Sequence, residues 1–491
     1  MKISTLLHFI DPDTRFPDTP VHGICDDSRH VSAGSLFIAL PGARVDGALY
    51  IDEAIAAGAH AVLCAGEALT VESYKGVPLI TIPEITQHLG TIAARYHQHP
   101  SMDMAMIGVT GTNGKSSLVY LLNAWFLYQQ RQAAFIGTIG CGQVGSYQGV
   151  GMTTLPAVPL QGRLASLRDK GMEVVTMEVS SHAVSQHRVA GIHFNDLFFT
   201  NISADHLDYH KTLEAYAEQK MRLFAYPGVE QIITNADDHW GRKLIQQYRD
   251  SHKIIAYGSQ PMQHLGVPMV QATETLLDLT HTVIHIDTSW GASVVTSPLI
   301  GEGNVYNVLA LCGYVLSQGV PIDKLPAVMA TLPTVPGRME RFHAPNRPTV
   351  IVDYAHSEAS LAMVLTFLRP RCQGKLVAVF GCGGERPVER RYGMGRVADE
   401  HADEIILTED NPRSESVEEI NTMIMRDMQQ PGKVRIIPNR CEAIEDAINA
   451  CNDGDVVLVS GKGHEQYQEK AGKRYPHSDI AVITACLYRN L

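Results

Sequence analysis

The run Met106-Ile107-Gly108-Val109-Thr110-Gly111-Thr112-Asn113-Gly114-Lys115-Ser116-Ser117 holds the most specific chemistry in this chain. An apolar segment enters a glycine-rich turn, and Lys-Ser-Ser opens a helical pattern that continues from Leu118 to Leu127. Glycines at such a turn let backbone N–H groups close around phosphate oxygens. The lysine ammonium reaches the terminal phosphates, and the first serine hydroxyl can bind Mg²⁺. Strict phosphate-loop spacing asks for glycine where Val109 stands, so the working element is the shorter Gly111-x-x-Gly114-Lys115-Ser116. The alternative is a plain glycine turn before a helix. A nucleotide loop alone serves switches, motors, kinases and ligases equally.

Two further groups narrow the choice. Glu178 ends the apolar run Val174–Met177. There it lies on the carboxyl edge, where open α/β sheets bind ligands; the alternative is a solvated strand-end carboxylate. Asp205-His206-Leu207-Asp208-Tyr209-His210 follows the run Leu197–Asn201 and gathers two Asp and two His in six residues. It can ligate a metal, orient a nucleophile, or simply form a polar helix-start loop. A zinc site on His206 and His210 lacks a third ligand set, and Mg²⁺ is the better metal beside a phosphate loop. Lys220, in the helical stretch 212–224, reads on its own as an ordinary surface lysine.

The elements that must carry these residues follow from periodicity. Residues 1–100 form a first block, with a strand at Leu36–Leu40, a short helix at Ile51–Gly58 and a strand at Ala61–Leu63. From 101 onward, short apolar runs alternate with helical patterns: Met104–Val109, Ala134–Ile139, Glu173–Met177, Asp196–Thr200, Gln231–Thr234 and Lys253–Tyr257. Runs apolar on both faces suit a parallel sheet covered on both sides. Residues 265–300 alternate as hairpins do. A third block opens near Pro336 and repeats the rhythm at Thr349–Val352, Leu376–Phe380, Glu404–Leu407, Val434–Ile437 and Val456–Val459, a Rossmann-like pattern.

Bulk composition agrees. The chain has 491 residues, 45% hydrophobic and 19% charged, which excludes a mainly disordered chain and suits roughly three domains. Its net charge of −12 argues against a nucleic-acid coat or an anionic-membrane binder. Nine scattered cysteines without a C-x-x-C pair suit a reducing compartment. With no apolar run of membrane-spanning length, the expectation is a soluble cytoplasmic protein.

The ordered set Gly111–Ser116, Glu178-Val179-Ser180-Ser181-His182, Asn201 with Asp205–His210, Gly303-Asn304 and Gly337-Arg338-Met339-Glu340 resembles the Mur ligase family. That family builds the peptide stem of peptidoglycan, and the resemblance spans essentially the whole chain. It implies three α/β domains: 1–100 binding UDP-MurNAc, a P-loop-type ATPase domain at 101–335, and a Rossmann-like amino-acid-binding domain at 336–491. It assigns Ser28, Ala43, Arg44 and Val45 to the uridine nucleotide, and Thr153, Thr154, Ser180, Gln186 and Arg188 to the muramoyl-peptide. Met152 stands where family members usually carry Asn before the Thr pair. ATP falls to Gly111, Thr112, Asn113, Gly114, Lys115, Ser116, Ser117, Asn304, Arg338, Asp353 and His356. Lys115, Glu178, His206 and Lys220 become catalytic. Lys220 is carbamylated to N6-carboxylysine, and Ser116, Glu178, His206 and Lys220 hold Mg²⁺. Because the nucleotide is gripped by two domains, turnover implies domain closure.

The implied reaction activates the side-chain carboxylate of D-Glu in UDP-MurNAc-L-Ala-D-Glu. It attacks the γ-phosphate of ATP, and the amine of an incoming amino acid then displaces phosphate from the acyl phosphate. For that amino acid, Asp410-Asn411-Pro412-Arg413 matches the family signature for meso-diaminopimelate, with Arg386, Gly461 and Glu465 as further contacts. Arg413 can pair with the second carboxylate that lysine lacks, and would repel a lysine head group. The alternatives are a ligase of the same kind adding L-lysine or another amino acid, a folylpolyglutamate-type ligase, a non-enzymatic nucleotide-binding regulator, or a nucleic-acid-driven motor. A monomer is expected.

Overall fold

A computed structural model describes residues 1–42 and 45–489. The chain divides into two compact units, one of residues 1–257 with 262–268, the other of 258–261 with 269–491.

The first unit opens on a five-stranded sheet. Gly23–Cys25, Ser35–Ala39, Ala61–Ala65 and Val77–Ile82 run parallel, and Thr70–Tyr74 closes one edge antiparallel. The helix Ile85–Tyr96 covers one face, burying Ile85, Leu89, Ile92 and Ala93 with Leu36, Ile38 and Leu63. The same core takes in Ala157 and Val158 of the helix Ala157–Asp169, so the first sheet and the segment after the Thr pair share apolar packing.

Beyond residue 100, six strands run parallel in the order Lys253–Gly258, Gln231–Asn235, Asp196–Phe199, Ala105–Thr110, Val174–Glu178, Ala133–Ile136. Nearly every residue in them is buried, as strands covered on both faces require. Ala105–Thr110 is central, with Val174–Glu178 on one side and Asp196–Phe199 on the other. The chain leaves it toward one edge and returns on the opposite side, so its carboxyl end is the topological switch point where such sheets bind ligands.

In the second unit Met269–Leu277, Thr282–Thr288 and Gly291–Ser297 form the antiparallel meander that alternation foretold. A six-stranded sheet follows in the order Glu340–Phe342, Thr349–Asp353, Val456–Ser460, Leu376–Phe380, Glu404–Leu407, Val434–Ile436, all parallel except the first pair. Cores lie on both of its faces, one around Leu365, Phe380 and Ile405, the other around Val377, Ile444 and Val457. A separate hairpin joins Tyr467–Lys470 to Lys473–Pro476.

Apolar periodicity marks Ser35–Ala39, Ala61–Ala65, the six parallel strands beyond residue 100, the meander and five strands of the last sheet. It does not mark Gly23–Cys25, Thr70–Tyr74, Val77–Ile82, Glu340–Phe342 or the hairpin strands Tyr467–Lys470 and Lys473–Pro476, which are incompletely buried and leave no continuous apolar run. Among the marked runs the largest difference in bounds is Ala134–Ile139, which is a strand only over Ala133–Ile136. Gly137 and Gly140 exchange backbone hydrogen bonds and turn the chain there. The expected helix at 212–224 is α-helical over Leu213–Met221 and tightens to a 3₁₀ turn at Arg222–Ala225.

Candidate active site

The strand Ala105–Thr110 delivers the glycine loop, and Gly114, with φ of +88°, caps a helix running Lys115–Tyr128. Lys115, Ser116 and Ser117 occupy that helix's first turn, where N–H groups have no intrahelical acceptor and the helix end favours anions. Gly111 has φ of +141°, and a side chain there would run into the Thr200 hydroxyl. Glycine is therefore required on both conformational and steric grounds. The loop is clamped from the neighbouring strand end. Thr112 N–H donates to the Asn201 carbonyl at 2.7 Å, Asn113 N–H to Asn201 Oδ1 at 3.0 Å, and the Thr200 hydroxyl to the Asn113 carbonyl at 2.6 Å.

Lys115 Nζ folds onto its own loop, donating to the carbonyls of Gly111 (3.0 Å) and Thr112 (2.8 Å). Lys220 Nζ donates to the same Gly111 carbonyl at 2.8 Å. Lys220 is only 1% exposed, which overturns the surface-lysine reading of the bare sequence. Its burial is set by the helix Leu213–Met221, which brings Tyr216 with it. The amine sits 4.7 Å from the Tyr216 ring, whose hydroxyl meets Thr112 Oγ1 at 3.1 Å. Burial, reinforced by the positive charge of Lys115 and only partly opposed by Asp205, holds the Lys220 pKa well below that of an ordinary lysine.

Glu178, at the end of Val174–Glu178, is equally buried. Its Oε1 accepts from Thr138 N–H at 2.7 Å, and Oε2 from the Thr138 hydroxyl at 3.3 Å. The turn at Gly137–Gly140 thus aims an N–H at the carboxylate. The Thr138 hydroxyl also meets Thr153 Oγ1 at 3.0 Å. Thr154 Oγ1 donates to the Glu178 carbonyl at 2.9 Å, Ser180 caps the helix Ser181–Ser185, and Arg188 donates to the Thr154 carbonyl (2.8 Å) and to Gln186 Oε1 (2.7 Å). Thr153, Thr154, Ser180, Gln186 and Arg188 therefore form one connected group beside Glu178.

His206 has φ of +53° and a half-exposed imidazole, 3.5 Å from Asp205 and edge-on to His182. His210 is buried, with Nε2 2.9 Å from the Ser181 hydroxyl. Burial and the neighbouring His206 and His210 push His182 down to about 4. Among the described residues no three His, Cys, Asp or Glu side chains converge as a metal cage. Mg²⁺ does not need one, since it characteristically takes one or two carboxylates with phosphate oxygens and water. The hard oxygen donors of Glu178 and Ser116 suit that ion. In the first sheet, Ser28 starts a 3₁₀ turn capped by Asp27, whose carboxyl the Arg29 guanidinium holds down at about 2. Val45 is exposed, while Ala43 and Arg44 lie outside the described residues.

In the second unit, four parallel strand ends build one pocket. It is lined by Tyr354 and His356 after Thr349–Asp353, by Cys382, Arg386 and Arg390 after Leu376–Phe380, by Asp410, Asn411 and Arg413 after Glu404–Leu407, and by Gly461 and Glu465 after Val456–Ser460. Gly461, at φ of +111°, lies so close to Asp410 that a side chain would strike the carboxylate. Pro412 keeps its carbonyl against Gly384, and Gly384 N–H donates to the Asn411 carbonyl at 2.9 Å. The hairpin templates Arg413, whose N–H donates to the Glu469 carbonyl at 3.0 Å and whose own carbonyl accepts from Ala471 at 2.6 Å. Its guanidinium reaches the Gly384 carbonyl and stands 3.7 Å from the Glu469 carboxylate.

The nucleotide candidates of this unit are less uniform. Arg338 stacks over the Tyr354 ring at 4.5 Å. The Asp353 oxygens accept backbone N–H from Met339 and Ala355, both at 2.8 Å, and burial outweighs Arg338 in raising its pKa. Asn304 spends its amide locally, donating to the Ile300 carbonyl just before its helix Glu302–Ser317 and accepting from Asn307 within it, both at 2.9 Å. His356 is exposed, its Nδ1 2.7 Å from the Tyr354 carbonyl. Sequence reasoning assigned no role to Thr138, Tyr216, Arg390 or Lys462. Only the glycines flanking Thr138, and the position of Lys462 between Gly461 and Gly463, pointed to these loops.

Comparison with known proteins adds an independent line. Residues 20–97 match the model of the Mur ligase family catalytic domain, 109–315 the Mur ligase middle domain, and 337–463 the Mur ligase glutamate ligase domain. A Haemophilus influenzae protein named UDP-N-acetylmuramoyl-L-alanyl-D-glutamate–2,6-diaminopimelate ligase is 40% identical over 456 residues, covering 92% of this chain and 93% of that protein. One of the same name from Alkalilimnicola ehrlichii is 39% identical over 498 residues, covering 99% of both. A solved structure of a ligase of that name superposes with a TM-score of 0.69 at 31% identity, covering 100% of this chain and 99% of the other. With near-complete coverage at this identity, and the phosphate loop, Glu178 and Lys220 gathered in one place, the chain belongs to the Mur ligase family.

Proposed function

We propose that this protein is an ATP-dependent, amide-forming ligase that adds meso-2,6-diaminopimelate to the D-Glu side chain of UDP-MurNAc-L-Ala-D-Glu, in peptidoglycan precursor synthesis. The family and the names of its relatives support the ligase and its substrates. The observation that carries the amino acid is the pocket of the second unit. Arg386 and Arg413 line it together with Asp410 and Glu465. With Arg390 beside them the pocket carries three guanidinium groups and two carboxylates, a mixed lining that suits a ligand bearing carboxylates at both ends as well as ammonium groups, and lysine lacks the second carboxylate. We take the domains to be 1–100, 101–335 and 336–491.

In the reading that follows, the helix N-terminus at Lys115–Ser117 receives the terminal phosphates, and Lys115 turns from its loop carbonyls to the γ-phosphate. Two anions must meet when the D-Glu carboxylate attacks, and the ammonium and N–H dipoles lower that repulsion. Mg²⁺, held by Ser116, Glu178 and His206 with a carbamate on Lys220, would supply further positive charge to the transferring phosphoryl group. Carbamylation requires a neutral amine, and the depressed pKa of buried Lys220 supports it. The group around Thr153, Thr154, Ser180 and Arg188 would hold the peptide beside Glu178. The incoming amine, oriented by the second unit's pocket, attacks the acyl carbon and phosphate leaves.

The test is product mass after incubation with ATP, UDP-MurNAc-L-Ala-D-Glu and each amino acid in turn. Diaminopimelate should give the tripeptide product with stoichiometric phosphate. A product with lysine alone would overturn the amino-acid assignment, and no product with any amino acid would overturn the ligase.

A further inference from the structure

Lys462 lies one residue from the pocket's Gly461 yet does not line the pocket. It is fully buried, and its ammonium makes two side-chain contacts, 2.8 Å to Glu465 Oε2 and 3.1 Å to Asn411 Oδ1. Asn411 Nδ2 closes the triangle, donating to the same Glu465 Oε2 at 3.0 Å. The orientation of the Asn411 amide is fixed independently, because its Oδ1 also accepts Glu469 N–H at 2.9 Å. Both protein donors thus converge on one carboxylate oxygen. Glu465 Oε1 has no protein donor among the described residues, and Glu465 lines the pocket.

We propose that Lys462 is a positioning residue of the amino-acid site: it ties down Oε2 of Glu465 and the amide of Asn411, so that Oε1 is presented, ionised, to an ammonium group of the incoming diamino acid. The inference rests on the reading that this pocket takes diaminopimelate. A buried carboxylate would otherwise gain a proton and lose its attraction for an ammonium. Burial alone would raise the Glu465 pKa, but the Lys462 charge, with the hydrogen bonds from Lys462 and Asn411, brings it below the ordinary value. The other titratable groups facing Glu465 are His464 on its own loop, Tyr354, Tyr467 and Arg440. Lys462 stands out because it touches both the carboxylate and the residue that orients it.

The experiment uses the full-length enzyme with Lys462→Met, Lys462→Gln, Glu465→Gln and the double variant Lys462→Met/Glu465→Gln. Steady-state kinetics are measured for each substrate, with the pH profile of kcat/KM for diaminopimelate. Lys462→Met should raise KM for diaminopimelate by about tenfold to a hundredfold, the scale of one charge-assisted hydrogen bond. KM for ATP and for the UDP-linked substrate should hold. The acid limb of the profile should move to higher pH, since Glu465 would then protonate more readily. Lys462→Gln, which keeps a donor without the charge, should show the same pH shift with a smaller KM change, and it serves if the Met variant does not fold. In the Glu465→Gln background Lys462→Met should cost little more. Wild-type KM and pH profile in both Lys462 variants, or additive losses in the double variant, would overturn the proposal. A wild-type enzyme that does not use diaminopimelate would instead overturn the reading beneath it.

Discussion

Replacing Arg413 by Ala tests the amino-acid assignment most directly. The guanidinium is about one-fifth exposed. Nη1 is committed to the Gly384 carbonyl and Nε faces Glu469, while Nη2 has no protein partner among the described residues. Nη2 is therefore the edge offered to a ligand carboxylate. Truncating one member of a desolvated charge pair costs about 2–5 kcal/mol, or about 30-fold to several thousandfold in kcat/KM. The partial exposure of Arg413 places the expected loss near the lower middle of that range, about a hundredfold for diaminopimelate, mostly in KM. Glu469 adds a second effect, because once Arg413 is gone its carboxylate faces the ligand carboxylate uncompensated. Arg413→Ala/Glu469→Gln should therefore recover part of the loss. Discrimination against L-lysine should shrink as well, since the repulsive cation is absent. The assay is kcat/KM for both amino acids in wild type and both variants, with ATP and UDP-peptide saturating. A wild-type enzyme that prefers lysine, or an unchanged diaminopimelate-to-lysine ratio in Arg413→Ala, would refute the reasoning.

Lys115→Ala should nearly abolish phosphate release, because the cation nearest the helix N-terminus is lost; activity within about tenfold of wild type, roughly 1.4 kcal/mol, would remove the phosphate-loop assignment. Lys220→Ala should be nearly inactive and regain activity with added short-chain carboxylic acids that replace carbamate oxygens, and ¹³C-labelled CO₂ should give a carbamate signal in wild type only; full activity without rescue would show that no carbamate is needed. Asp479→Leu should destabilise the protein by about 3–5 kcal/mol in urea unfolding, because it strands Arg440, which is fully buried and held bidentately by Asp479 at 2.8 Å through both Nε and Nη2. The Asp479 carboxyl is buried, yet Arg440 and His477 hold it well below the usual carboxylate range. Its contribution should therefore be complete above the unfolded value of about 3.9 and fade only as pH falls below that toward the folded value; a wild-type stability that declines already between pH 7 and 5 because of this pair would contradict the assignment.

What could be read in the chain follows the range of the interaction. Strands buried on both faces leave short continuous apolar runs, so the parallel sheets beyond residue 100 are legible, whereas in the first sheet only Ser35–Ala39 and Ala61–Ala65 are, because Gly23–Cys25 and Val77–Ile82 are incompletely buried; the glycine loop with Lys115 and Ser116 is contiguous. The same holds for Asp410–Arg413, where strand and loop are adjacent in sequence. Lys220 was not readable from its surroundings. Its amine answers to the carbonyl of Gly111, 109 residues away, and its helix has no periodic feature that tells a buried lysine from a solvated one. The Gly137–Gly140 turn looks in sequence like the end of a strand because Ile136 and Ile139 continue the apolar run, although those glycines release Thr138 to meet Glu178, 40 residues on. Lys462 shows the same limit at short range. It lies three residues from Glu465, but its role depends on Asn411, 51 residues earlier, arriving from a neighbouring strand. Local pattern therefore reveals which segments reach the carboxyl edges of the sheets, whereas the polar partners that set charge and orientation there come from strands adjacent in space and distant in sequence. Resemblance reached Lys220 because an ordered series of motifs carries that adjacency implicitly. It does not reach Lys462, whose two partners line the pocket of the second unit while Lys462 does not.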